Sequence, residues 1–199
     1  MSKSHQLYFL INKPFKVLSQ FSNEDGNDGL GTLFQLPKDV YPVGRLDLDS
    51  EGLLLLTNDK AVNHKLLDPK NNHERMYRVE VEGYPNEKSL DEIRQGVEIN
   101  LKGKKHKTKP CLAYLLEQFE IEERIPSVNR TKHPDTSWVE IKLTEGKNRQ
   151  VRRMTAKVGH PTLRLIRFAI EDLNLGALKS GEIVQLSKKL VYHKLKLGM

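Results

Sequence analysis

The sequence predicts a single domain with a mixed α/β fold, because clear strand and helix patterns follow one another along its 199 residues. Residues 76–82 and 138–144 alternate apolar and polar side chains, which is typical of half-buried strands. Residues 148–158 instead place Val151, Met154 and Val158 at helical spacing. With 37% hydrophobic residues, the chain can bury one sizeable core or two small subdomains that share a cleft.

In the first third of the chain, residues 7–12 form an apolar strand that ends at Lys13-Pro14, since the residue before a proline disfavours helix. Glycine, aspartate and asparagine dominate residues 23–31 and predict a loop. The run 53–56 consists of four leucines and predicts a buried strand. Thr57 or Asn58 is then expected to cap a helix that continues to about residue 67.

In the remaining chain, residues 85–95 predict a helix that ends before Gly96. The basic run 102–105 predicts a turn, and residues 122–136, which contain two prolines, predict a mobile surface loop. Apolar and alternating patterns predict further strands at 97–101, 111–119, 163–170 and 182–186.

The net charge of +7 is concentrated in one part of the sequence. Residues 142–167 hold eight Lys or Arg and one acid, Glu145, so this window alone equals the net charge of the whole chain. A focused basic patch favours a polyanionic partner, although a solvated helix face is the ordinary explanation for a run of charge. Arginine outnumbers lysine here by five to three, which favours contact with phosphates.

Several functional classes lack their usual signals. No apolar run could span a membrane and no secretory signal is present, so we expect a cytoplasmic protein without membrane attachment. The histidines lack paired ligand spacing, and no phosphate-binding glycine loop or serine-nucleophile motif occurs. We therefore expect neither a metal nor any other cofactor. The single cysteine, Cys111, predicts an inert buried thiol.

The most unusual feature is a group of acids directly before the leucine strand, in the segment GRLDLDSEG at residues 44–52. Asp47, Asp49 and Glu51 all lie in it, and from spacing alone the three are interchangeable. An acidic turn that caps the strand explains them as well as a catalytic carboxylate does.

The segment GRLDLDSEGLLLLTND resembles the signature of the RsuA family of pseudouridine synthases. The resemblance continues through RMYRVEVEG at 75–83, TSWVEIKLTEGKNRQVRRMTAKVGHPTLRLIR at 136–167 and the opening FLINKPFKVL. It covers nearly the whole chain in the right order and is nearest to the short RluE-type branch, which lacks an N-terminal S4 RNA-binding module. It implies the pseudouridine synthase fold, with a largely antiparallel, bent sheet, flanking helices and two subdomains around a basic cleft.

The resemblance also implies roles for individual residues. Asp47 corresponds to the catalytic aspartate, Tyr77 to the tyrosine on which the flipped base lies, and Arg152 to the arginine that keeps the aspartate ionised. Leu165 corresponds to an apolar pocket residue, although ordinary strand core is an equal alternative. Arg45 is expected to fill the gap left by the flipped nucleotide or to form an exposed salt bridge. Phosphate contacts are expected from Lys147, Arg149 and Arg153.

We therefore expect a cofactor-independent isomerase that converts a uridine of ribosomal RNA, in the large subunit, to pseudouridine. The alternative is a non-catalytic RNA-binding or ribosome-assembly factor with the same fold. We expect residues 1–199 to act as one monomeric catalytic domain, with possible subdomains at about 1–84 and 85–199.

Overall fold

A computed structural model describes residues 5–198 and shows two compact units. Unit 1 comprises Met1–His73 and Arg167–Met199, and unit 2 comprises Glu74–Ile166. The chain passes from unit 1 to unit 2 between residues 73 and 74 and returns to unit 1 between residues 166 and 167. The later segment belongs to unit 1 in part because residues 183–185 pair as an antiparallel strand with residues 9–11.

The part of the chain that the structure describes contains thirteen strands and four α-helices. The strands are β1 Tyr8–Lys13, β2 Val17–Leu18, β3 Asp28–Gly29, β4 Tyr41–Pro42, β5 Glu51–Thr57, β6 Arg75–Glu82, β7 Glu98–Leu101, β8 Lys104–Lys107, β9 Leu112–Leu116, β10 Thr136–Leu143, β11 Thr162–Ile170, β12 Leu173–Asn174 and β13 Ile183–Gln185. The helices are α1 Lys60–Leu67, α2 Glu87–Gln95, α3 Gln150–Lys157 and α4 Lys188–Lys194. The prediction of a mixed α/β fold is confirmed.

The centre of unit 1 is the leucine strand β5, in which every residue is buried. β1 lies antiparallel to β5 on one side and to β13 on the other, with Ile11 opposite both Leu54 and Ile183. Leu54 and Leu56 join a core that includes Ile11 and Leu46. The leucine run therefore forms the buried strand that its sequence predicts.

A buried carboxylate connects three elements of unit 1. Asp59 caps α1 by accepting a hydrogen bond from the Ala61 amide (3.0 Å), and its other oxygen accepts from the hydroxyls of Tyr8 (2.6 Å) and Tyr192 (2.8 Å). Burial opposes the charge on Asp59, but these donors outweigh it and lower the pKa of the carboxyl. Burial and the hydrogen bond to Asp59 raise the pKa of Tyr192 to about 12. Asp59 therefore caps α1 in place of the predicted Thr57 or Asn58. Helix α4, which carries Tyr192, was not predicted from the sequence.

Unit 2 is built on antiparallel β6, β10 and β9, with Ile141 of β10 opposite Tyr77 of β6 and Ala113 of β9. Val151 and Met154 of α3 enter the same core as Ile141, as their helical spacing predicts. Helix α2 is capped by the Asn86 side chain, which accepts from the Ser89 amide (2.9 Å).

The predicted mobile loop at 122–136 is irregular but is bound to the outward face of β6. Arg130 pairs with the buried Glu80, and the His133 ring lies 3.0 Å from the Glu82 carboxylate. The outward acids of β6 therefore hold the loop against the sheet. Across residues 5–198, no helix is both long and apolar enough to cross a membrane.

Candidate active site

The loop that carries Asp47 runs from β4 to β5, and backbone contacts fix it on both sides of the aspartate. The Leu46 amide donates to the Ser19 hydroxyl oxygen (2.9 Å), and that hydroxyl donates back to the Leu46 carbonyl (2.8 Å). On the other side, the Lys16 amide donates to the Leu48 carbonyl (2.9 Å). Leu46 and Ser19 are buried, whereas Asp47 is half-buried. The Asp47 side chain therefore projects from a backbone with little freedom to move.

The structure separates the three acids that spacing alone leaves equivalent. Glu51 begins β5 and is only 3% exposed, so its carboxylate lies within unit 1. Asp47 and Asp49 keep part of their surface accessible. Of the three acids, only Asp47 and Asp49 are therefore accessible to a substrate. Arg45, two residues before Asp47, is exposed.

A buried lysine faces this acidic loop. Lys13 ends β1 with no exposed surface, and its ammonium donates to the carbonyls of Pro14 (2.8 Å) and Val17 (2.6 Å). Burial lowers the pKa of Lys13 to about 8, Arg167 acts in the same direction, and the three acids Glu51, Asp49 and Asp47 oppose the shift. Lys13 is thus a cation of unit 1 held within the field of its acidic loop.

From the sequence alone, Lys13 is only the residue at which a predicted strand ends. The signal that could have found it is positional, because Lys13 lies two residues after Ile11 and so shares that residue's inward face. A lysine at an inward position is rarely fully buried without a charge partner.

Directly after Glu51, the backbone of β5 approaches that of β11 so closely that only glycine fits at position 52. Gly52 has φ +107°, and a Cβ there would lie 2.4 Å from the Arg167 carbonyl oxygen. The Arg167 guanidinium in turn donates to the Leu53 carbonyl (2.9 Å) and is 5% exposed. This close contact holds the second residue of β5 next to the acidic segment.

Unit 2 holds the two apolar candidates. Tyr77 packs partly buried against the core of unit 2, so part of its side chain stays accessible. Leu165 on β11 is 6% exposed and packs in that core.

Helix α3 and the turn before it carry the predicted phosphate-binding cations. Lys147 and Arg149 are exposed, and Arg149 takes up a left-handed conformation with φ 50° where the helix begins. Arg152 and Arg153 are half-buried. Arg153 donates to the carbonyls of Asn100 (2.7 Å) and Asn148 (3.2 Å), so part of its donor capacity holds the helix in place.

Not every cation of the basic window reaches the surface. Arg164 is 7% exposed and donates to the Glu122 carbonyl (2.9 Å), and Arg167 is buried as described above. Lys142 pairs with Glu74 at 2.7 Å. The exposed basic surface of the window therefore centres on α3 and its preceding turn.

A buried carboxylate fixes that turn. Glu145 is 9% exposed and accepts from the Gln150 side chain (2.7 Å) and the Lys109 amide (2.7 Å), and its second oxygen lies 3.2 Å from the His106 ring. Gln150 in turn accepts from the Lys147 amide (2.9 Å). The backbone that presents the exposed cations is consequently held by side chains from inside unit 2.

The candidate residues are therefore distributed over both units. Arg45 and Asp47 belong to unit 1, together with the additional residue Lys13. The other six belong to unit 2: Tyr77, Lys147, Arg149, Arg152, Arg153 and Leu165. Among residues 5–198, no group of three or more His, Cys, Asp or Glu side chains could hold a metal ion.

Comparison with known proteins identifies the class. Residues 7–157 match the family described as RNA pseudouridylate synthase, which is well over half of the chain. The chain therefore belongs to this family of isomerases, which convert uridine in RNA to pseudouridine.

Individual relatives are named more specifically. The chain is 44% identical over 173 residues to the ribosomal large subunit pseudouridine synthase E of Vibrio parahaemolyticus serotype O3:K6 (strain RIMD 2210633), an alignment that covers 87% of this chain and 71% of the relative. It is 48% identical over 172 residues to the enzyme of the same description from Xanthomonas axonopodis pv. citri (strain 306), covering 85% and 88%. A solved structure described as a pseudouridylate synthase matches 96% of this chain and 74% of its own with a TM-score of 0.75 and 28% identity. The resemblance seen in the sequence is confirmed.

Proposed function

We propose that this enzyme converts a uridine of large-subunit ribosomal RNA to pseudouridine, with Asp47 as the catalytic carboxylate. The family resemblance selects Asp47 among the three acids, and its fixed, half-buried position between the Ser19 and Lys16 contacts supports that assignment. The substrate follows from relatives at 40–48% identity that are described as ribosomal large subunit pseudouridine synthases.

The reaction needs no net electron, phosphate or metal. The bond between N1 of the base and C1′ of the ribose breaks, the detached base turns, and C5 joins C1′. C5 loses its proton and N1 gains one, so the product is an isomer of the substrate. An ionised carboxylate can start the reaction as a nucleophile or as a base that removes a sugar proton.

The remaining roles in the proposal come from the family resemblance. The target nucleotide leaves its stack and the base lies on Tyr77, because a base inside a helix exposes no reacting atom to the enzyme. Arg152 supports the ionised state of the aspartate, and Leu165 and Arg45 contact the flipped nucleotide or the gap that it leaves. Lys147, Arg149 and Arg153 contact phosphates. Monomeric state and cytoplasmic location stay predictions.

The test compares two substitutions in the same loop. Asp47→Asn should abolish pseudouridine formation on large-subunit rRNA transcribed in vitro while RNA binding stays within a few-fold, since an amide can neither attack nor accept a proton. Asp49→Asn makes the same change two residues away and should retain most of the turnover. Pseudouridine is detected by carbodiimide modification and primer extension. Appreciable turnover by Asp47→Asn, or its loss only in Asp49→Asn, would overturn the assignment.

A further inference from the structure

The basic run at 102–105, predicted to be a turn between strands, contains the turn of a β-hairpin and the first two residues of its second strand, β8. β7 and β8 pair antiparallel, with Leu101 opposite Lys104, so only Lys102 and Gly103 lie between them. Both have positive φ, 51° and 83°, as a two-residue type I′ turn requires. Asn, Asp and Gly are the usual first residues of such a turn. Lys102 therefore adopts a left-handed conformation that is unfavourable for a lysine.

The hairpin is the most concentrated run of exposed lysine in unit 2. Residues 97–109 contain five lysines, all exposed, and a single acid, Glu98. Glu98 pairs with Lys105 at 3.0 Å, but both side chains are at least half exposed, so the pair is weak and readily exchanged. The hairpin thus carries a surplus of positive charge that no core contact requires.

Strand alternation divides the two faces of the hairpin. Ile99 and Leu101 face the core of unit 2, opposite His106 and Lys104. On the outward face, Lys107 lies opposite Glu98 and Lys105 lies opposite Asn100. The lysines at 105 and 107, together with Lys102 at the tip, therefore form one outward surface, which we call the lysine hairpin.

The lysine hairpin is joined directly to the helix that carries the proposed phosphate contacts. The Arg153 guanidinium donates to the Asn100 carbonyl of β7 (2.7 Å), and Glu145 connects the turn before α3 to His106 of β8. Both connections hold the hairpin beside α3. The lysines consequently continue the exposed basic surface of α3 on a second rigid element.

We propose that the lysine hairpin binds the phosphate backbone of the substrate RNA beyond the nucleotides held by α3, an inference that rests on the proposed function. Lysine supplies compact point charges suited to phosphates. Residues 97–109 contain no Phe, Tyr or Trp, and His106 lies opposite Ile99 on the face toward the core, so the outward face has no base-stacking ring. The hairpin therefore contributes affinity that is independent of base sequence.

The experiment is a salt titration of RNA binding by a triple variant, Lys102→Asn, Lys105→Gln and Lys107→Gln. Asparagine suits the turn, so the variant keeps the hairpin while it loses three charges. Each lost phosphate contact lowers the slope of log K against log salt by about 0.7–0.9, so the slope should fall by about 2. Near 0.1 M salt the affinity should fall about 100-fold, with the difference vanishing near 1 M.

The control variant removes three exposed lysines of unit 1, Lys70→Gln, Lys179→Gln and Lys189→Gln. It makes the same change in net charge, so any effect of overall charge appears in both proteins. The control should keep the wild-type slope within about half a unit. Thermal melting of both variants verifies that they are folded.

The probe is large-subunit rRNA transcribed in vitro, on which pseudouridine formation by the wild-type enzyme is measured in parallel. If the wild type modifies this RNA and the hairpin variant has the slope of the control, the lysine hairpin is not an RNA-binding surface. If the wild type forms no pseudouridine, the proposed substrate fails instead. A loss of slope confined to the hairpin variant supports the inference.

Discussion

Lys13→Met tests whether burial in unit 1 lowers the pKa of the Lys13 ammonium. The folded-state pKa of Lys13 is about 8, against an ordinary value of 10.5. Between these two values the unfolded chain binds more protons than the folded one, so stability rises with pH through that window. Methionine matches the length of the apolar stem and cannot titrate, so the variant lacks this rise.

The magnitude follows from the size of the pKa difference. At about 1.4 kcal/mol per pH unit, the wild type should gain roughly 2–3 kcal/mol over the variant between pH 8 and pH 10. For a protein of this size that corresponds to a relative increase in Tm of on the order of 4–12 °C. Other titrating groups are shared by the two proteins and cancel in the difference.

The assay is chemical or thermal unfolding of both proteins at intervals from pH 7 to pH 10. Lys70→Met is the matched control, because Lys70 is exposed and its ammonium is hydrated in both the folded and the unfolded chain. Its stability should follow that of the wild type at every pH. Parallel curves for the wild type and Lys13→Met would refute the reasoning, because they would mean that folding does not desolvate this ammonium.

Two further substitutions test the packing of unit 1. Gly52→Ala should destabilise the protein by roughly 2–4 kcal/mol, since it adds a Cβ against a backbone carbonyl at a positive φ. Gly146→Ala, which meets nothing within 4 Å, should change Tm little, and equal effects of the two would contradict this account. Tyr192→Phe should cost about 1–3 kcal/mol in urea unfolding because Asp59 loses one donor. Tyr41→Phe, at a side chain 62% exposed, is its control, and no difference between them would show that the Asp59 contact contributes nothing.

Local patterns predicted much of the fold. Strict alternation located β6 and β10 to within one or two residues, and helical spacing located α3 and its buried residues Val151 and Met154. These predictions succeeded because one face of each element packs against a core. The short helix α4 was missed, since its position depends on a tyrosine that reaches Asp59 from the far end of the chain.

The site was predictable only in part, because the sequence does not show the burial of its charged residues. A sequence shows where charges occur but not which of them are buried, so Arg164 and Arg167 were counted with an exposed patch although contacts with backbone carbonyls hold them inside. Lys13 was overlooked for the same reason. Spacing left three acids equivalent, the structure set Glu51 apart by burial, and the choice of Asp47 came from the family resemblance.

The division of unit 1 into two chain segments has a consequence for synthesis on the ribosome. Translation proceeds from the N-terminus, and domains generally fold in the order in which they emerge. Here the residues of unit 2 are complete once Ile166 has been made, whereas Asp59 still awaits the Tyr192 hydroxyl. The half that contains Asp47 is therefore the first to emerge, yet it can complete its native contacts only after the residues of unit 2 and Tyr192 have been made.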